Sequence, residues 1–108
     1  MTRDAVIRAA TAYLDEGGFA ADLARRVAIP TESQNPDRAG ALADYLEKEM
    51  RGSLEAPGFQ CNIHPNPAAN GGPFLVAIRR EAEATKTLFS YGHGDVIRGQ
   101  EAQWRDGL

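Results

Sequence analysis

The sequence predicts an α/β or α+β fold, three helices followed by three strands of an incomplete sheet. Three observations lead there. Apolar residues recur at helical spacing through the first half of the chain, the period shortens to two at Phe59, and Phe74 to Ile78 is a continuous apolar run.

Val6, Ala9, Ala10, Tyr13 and Leu14 share one helical face from Thr2 or Asp4 to Glu16, and Gly17-Gly18 stops that helix. Phe19, Leu23 and Val27 then recur every four residues, a second helix running into Ile29-Pro30, where the proline disfavours helical geometry at Ile29. Thr31 to Gln34 reads as a polar loop. Asn35 is a good N-cap, with Pro36 at the first helical position, where its missing N–H costs nothing. Ala39, Leu42, Ala43, Leu46 and Met50 form the apolar stripe of this third helix, opposite Asp44, Glu47, Lys48 and Arg51, and Gly52 is expected to end it.

Phe59, Cys61 and Ile63 alternate with Gln60, Asn62 and His64, the pattern of a half-buried strand. The stretch from His64 to Pro73 is rich in Pro, Asn and Gly and reads as a turn. Phe74 to Ile78 is the candidate central strand, Arg79 to Lys86 an exposed turn, and Thr87 to Tyr91 a third strand.

At 108 residues, 43% hydrophobic and 25% charged, the chain is one globular unit at most. A net charge of −3 without clustered Lys or Arg argues against nucleic acid as a partner. No apolar stretch is long enough to span a bilayer, and no signal core precedes the first helix. The single cysteine, Cys61, forms no internal disulfide and favours the reducing cytoplasm.

The chemistry lies after the third predicted strand, in Gly92-His93-Gly94-Asp95. Residues two apart in extended chain point to one face, so His93 and Asp95 can meet. Gly92 and Gly94 let the backbone turn and approach a ligand. Asp95 can accept the N–H of the imidazole nitrogen that does not bind metal, the usual support of a ligating histidine. The same two residues also fit a plain turn hydrogen bond. His64 reads as an exposed turn residue, Cys61 as a small buried hydrophobe and Tyr91 as a core ring. Arg25-Arg26 and Arg79-Arg80 read as solvated ends, and Ser33 as a turn cap rather than a nucleophile.

The stretch Thr87 to Ile97, with Gly-His-Gly-Asp-Val after an apolar strand and Trp104 behind it, resembles the two-zinc metallopeptidase family of aminoacylase, succinyl-diaminopimelate desuccinylase and carboxypeptidase G type. Leu23 to Ser33, with Ile29-Pro30-Thr31-Glu32-Ser33, is similar to an earlier segment of that family, and the helix from Ala41 to Met50 follows in the expected order.

The resemblance implies that His93 ligates one zinc of a pair, cobalt or manganese being substitutes, and that Asp95 holds its ring and belongs to the catalytic set. Trp104 would brace the loop after the metal strand. The implied activity is hydrolysis of a peptide or N-acyl amide bond: two zincs lower the pKa of a shared water, a glutamate takes its proton, and the hydroxide attacks the carbonyl.

The family's bridging Asp, Glu-Glu pair, further acidic ligand and late His lie downstream of the motif. Glu101, Asp106 and His64 do not match them, and Arg98 stands where members often carry proline. The resemblance therefore describes an N-terminal segment of an α/β catalytic domain with an incomplete mixed sheet, inactive alone, from an enzyme expected to form a homo-oligomer through a later domain. Its substrate would be a small peptide or N-acyl amino acid. A strand ending at Tyr91 would be central in the complete sheet, leaving an unpaired edge here.

Two other readings stay open. An α/β serine hydrolase would use Gly92-His93-Gly94 as its oxyanion loop, although no Gly-x-Ser-x-Gly is present. A non-catalytic module would cradle an anion with Gly92, Gly94 and Gly99, at a spacing that is not the dinucleotide fingerprint.

Overall fold

Thr2 caps the first helix, its hydroxyl accepting the Ala5 N–H at 3.3 Å, and α1 runs Arg3–Asp15. The structure, a computed structural model, describes residues 1–106. Gly17 takes a left-handed φ of 85° and reverses the chain into α2, Gly18–Val27. The two helices meet through Tyr13 and Phe19, whose rings pack edge to face with centroids 6.4 Å apart. The Tyr13 hydroxyl also donates to the Asp22 carboxylate.

The third helical stretch covers residues 36–55 and is not uniform. Asn35 caps it, its side chain accepting the Asp37 N–H at 3.1 Å, and Pro36–Arg38 forms a 3₁₀ turn. Then come α3, Ala39–Asp44, a π-helical stretch, Tyr45–Met50, and α4, Arg51–Glu55. Gly52 does not end this helix, contrary to the sequence expectation. The stop is Gly58, at φ 97°, where Phe59 N–H bonds the Leu54 carbonyl at 3.1 Å and Gly58 N–H bonds that of Glu55 at 2.9 Å. This paired closure needs a left-handed residue, and Gly58 supplies it.

Two strands follow. β1, Gln60–His64, pairs antiparallel with β2, Phe74–Ile78, from Gln60 opposite Ile78 to His64 opposite Phe74. Asn66 organises the connecting turn, its side chain bonding the Gly72 carbonyl at 3.1 Å and the Ala68 N–H at 2.9 Å. Cys61 and Ile63 lie on the half-buried face as the alternation predicts, although Cys61 is not fully buried.

The expected third strand is absent. Thr87 to Tyr91 pairs with no strand among the described residues, and Leu88, Phe89 and Tyr91 are exposed, so Tyr91 is not a core ring. An apolar alternation supplies strand propensity, but a strand also needs a neighbour for its backbone groups. Here β1 and β2 satisfy only each other. β2 is accordingly not central, and the sheet is a two-stranded antiparallel hairpin rather than a mixed sheet. What stands is the coarser class, helices combined with a small sheet.

The helices and hairpin enclose no sealed core. Among the described residues no apolar side chain is fully buried, and Phe74, Val76 and Ile78 leave one hairpin face open. The radius of gyration is 17.2 Å, against about 13 Å for a compact chain of this length. The accessible surface is 9261 Å², against about 5,900 Å² for a monomer of this mass. Among the described residues no helix is long and apolar enough to cross a membrane.

Candidate functional site

After Tyr91 the chain is exposed until Gly94, where it meets the loop that follows α2. Val96 and Glu32 form a parallel bridge: Val96 N–H bonds the Thr31 carbonyl at 2.9 Å, and Ser33 N–H bonds the Val96 carbonyl at 3.3 Å. Thr31 also donates its hydroxyl to the Gly94 carbonyl at 2.6 Å, and it is the one buried polar residue among those described. The Thr31 N–H bonds the Ile29 carbonyl across Pro30 at 2.8 Å, and beyond this tight turn the hydroxyls of Thr31 and Ser33 both reach the Gly94–Asp95 segment.

This bridge sets the geometry of the predicted pair. His93 Nδ1 lies 2.9 Å from Asp95 Oδ1 and 3.2 Å from the Asp95 backbone oxygen. Both neighbours are acceptors when Asp95 is ionised, so in a neutral ring these contacts favour the proton on Nδ1 and leave the Nε2 lone pair for another partner. Asp95 is half-buried while His93 is largely exposed. The other carboxylate oxygen, Oδ2, accepts the Ser33 hydroxyl at 2.8 Å. These bonds, from Ser33 first and His93 second, hold the Asp95 carboxyl below its ordinary pKa.

Gly94 has a role here other than the one expected of it. Neither Gly92 nor Gly94 has a left-handed φ. A Cβ on Gly94 would instead collide with the Tyr45 ring, whereas one at Gly92 would meet nothing. The glycine between His93 and Asp95 is therefore needed for close approach by the π-helical stretch.

The other singled-out residues sit apart from the pair. His64 is exposed at the end of β1, as expected. Trp104 donates its indole N–H to the Gly99 carbonyl at 2.6 Å, within the segment behind the motif. Arg98 lies beside the loop, 3.9 Å from Glu32 and 3.4 Å from the Gln34 carbonyl.

Arg25 and Arg26 are not simply solvated. Both converge on Glu49, Arg25 with two bonds at 2.8 and 2.9 Å and Arg26 with one at 3.1 Å. The arginines, Arg25 foremost, hold the Glu49 carboxyl below its ordinary pKa. Arg79 bonds the Pro57 carbonyl at 2.7 Å and Glu81 at 2.6 Å.

The residues fit a metal in part. The His93–Asp95 pair has the form of one ligand with its orienting carboxylate. Among the described residues, no three His, Cys, Asp or Glu side chains gather into a metal-holding group, and a zinc site needs at least three protein ligands. Sequence reasoning found His93 and Asp95 but missed Ser33, Thr31 and Tyr45 as their supports. The available signal was the pair of hydroxyls at alternate positions after Pro30. Compared with protein-family models, curated proteins and solved structures, the chain matches none.

Proposed function

We propose that this chain belongs to a metal-dependent hydrolase of the two-zinc aminoacylase and carboxypeptidase G type, cleaving a peptide or N-acyl amide bond. The observation that carries this reading is the His93–Asp95 contact at 2.9 Å, which leaves Nε2 as the free ring nitrogen. His93 would hold one zinc, and Asp95 would fix its tautomer and ring direction. When bound, a zinc pair supplies polarisation of the amide carbonyl and an activated water. Among the described residues no three possible ligands gather, so on this reading His93 is one ligand and the others, with the general base, would be supplied from elsewhere.

The serine-hydrolase reading finds less support. Its oxyanion loop would be Gly92-His93-Gly94, and the sequence has no Gly-x-Ser-x-Gly to supply the nucleophile.

The test is hydrolysis of dipeptides and N-acyl amino acids by the protein that carries this chain, before and after EDTA. Loss of activity in chelator, recovery with zinc or cobalt, and no turnover by His93→Ala are expected. Chelator-insensitive activity that is blocked by a fluorophosphonate would replace this reading with the serine hydrolase.

A further inference from the structure

Asp95 is held at both carboxylate oxygens by groups far apart in sequence. Oδ1 takes Nδ1 of His93, and Oδ2 takes the hydroxyl of Ser33, 62 residues earlier in the chain. A carboxylate bonded at one oxygen can still turn about its terminal torsion, because that torsion is broad. A donor on the second oxygen removes that freedom.

Ser33 is itself located by the bridge. Its N–H is bonded to the Val96 carbonyl, and Thr31, two residues back, holds both Gly94 and Val96. The loop and the motif are thus tied on either side of Asp95, and the Ser33 hydroxyl is delivered to one oxygen. The charged groups around it, Glu32 and Arg98, pair weakly with one another at 3.9 Å.

We propose that Ser33 is a positioning residue: by holding Oδ2 of Asp95 it orients Oδ1 onto His93, fixes the Nδ1–H tautomer and leaves the Nε2 lone pair facing outward. A serine suits this task because its hydroxyl donates without adding charge, so Asp95 remains an acceptor for the imidazole. The inference goes beyond the hydrolase reading and depends on it only for the use made of Nε2.

The test is the tautomer of His93, read from long-range ¹H–¹⁵N correlations in protein labelled at histidine, at a pH where the ring is neutral. His64, the other histidine, is the internal reference. Wild type should show Nδ1–H at His93. In Ser33→Ala the ratio of Nδ1–H to Nε2–H should fall by roughly fivefold, the factor that one net hydrogen bond supplies. Ser33→Thr, which keeps the hydroxyl, should restore it.

Thr31→Val separates a direct effect from loosening of the loop, since it removes the clamp on Gly94 without touching Asp95. It should leave the tautomer ratio near wild type. An unchanged ratio in Ser33→Ala, or an equal fall in Thr31→Val, would overturn the assignment. If the tautomer responds as stated and the complete protein shows no metal-dependent hydrolysis, the hydrolase reading fails and the role of Ser33 stands. If that hydrolysis is present and the tautomer ignores Ser33, the reverse holds.

Discussion

The Tyr45 ring fills the space that a side chain at position 94 would need. Tyr45 opens the π-helical stretch, so the third helix and the His93–Asp95 motif are in register through one aromatic ring and one missing Cβ. Gly94→Ala should destabilise the protein by about 1–3 kcal/mol, the usual cost of forcing extra carbon into a packed contact. The measurement is a denaturant melt of Gly94→Ala, Tyr45→Ala and the double variant. A coupling energy above about 0.5 kcal/mol between the two sites is expected, as for residues in direct contact.

Glu49 joins α2 to the third helix by receiving Arg25 and Arg26 together. Glu49→Gln should lower Tm by a few degrees, and the loss should shrink at high salt, which screens surface ion pairs. Thermal melts at two ionic strengths check this.

The acid response follows from three carboxyls. Glu49 is held below its ordinary pKa by Arg25 first, Asp22 by the Tyr13 hydroxyl first, and Asp95 by Ser33 first. A carboxyl depressed in the folded state contributes stability that is complete above its unfolded pKa and is lost as pH falls through its folded pKa. Stability should therefore be level near neutrality and decline below about pH 4, the ordinary carboxylate range. Ser33→Ala should remove part of that decline. Tm followed from pH 7 to pH 2.5 would show it.

Gly17 has a left-handed φ of 85°, and a Cβ there would touch nothing within 4 Å. Gly17→Ala should therefore cost about 1–2 kcal/mol from backbone conformation alone. A chemical melt measures the loss. Gly52→Ala, in an open helical position, should instead be neutral or stabilising.

The open hairpin face and the exposed Leu88, Phe89 and Tyr91 predict self-association of the 108-residue chain. The surface in excess of a compact monomer, roughly 3,400 Å², is in the range that obligate interfaces cover. Sedimentation velocity over a hundredfold concentration range should show a rising weight-average mass. A constant monomer mass would contradict this.

Local patterns made the helices legible in the sequence. Thr2, Gly17, Asn35 and Pro36 act where short-range capping and turn chemistry put them, and the alternation from Phe59 to His64 locates β1. Gly52 misled because a glycine ends a helix only where its backbone turns left-handed, and Gly58 does that here. The segment Thr87 to Tyr91 misled for a different reason. Its apolar composition measures a preference for burial, while strand formation requires pairing with a partner edge, and among the described residues this segment pairs with neither edge of the hairpin.

The sequence by itself determined that His93 and Asp95 can meet, since residues two apart in extended chain share a face. Only the tertiary structure decided what stands behind them. Ser33 on Oδ2, Thr31 on Gly94 and Tyr45 against the glycine are contacts across 49 to 63 residues, and no local periodicity encodes them. They arise because the loop after Pro30 bridges to the chain at Val96, where backbone groups from both segments satisfy one another.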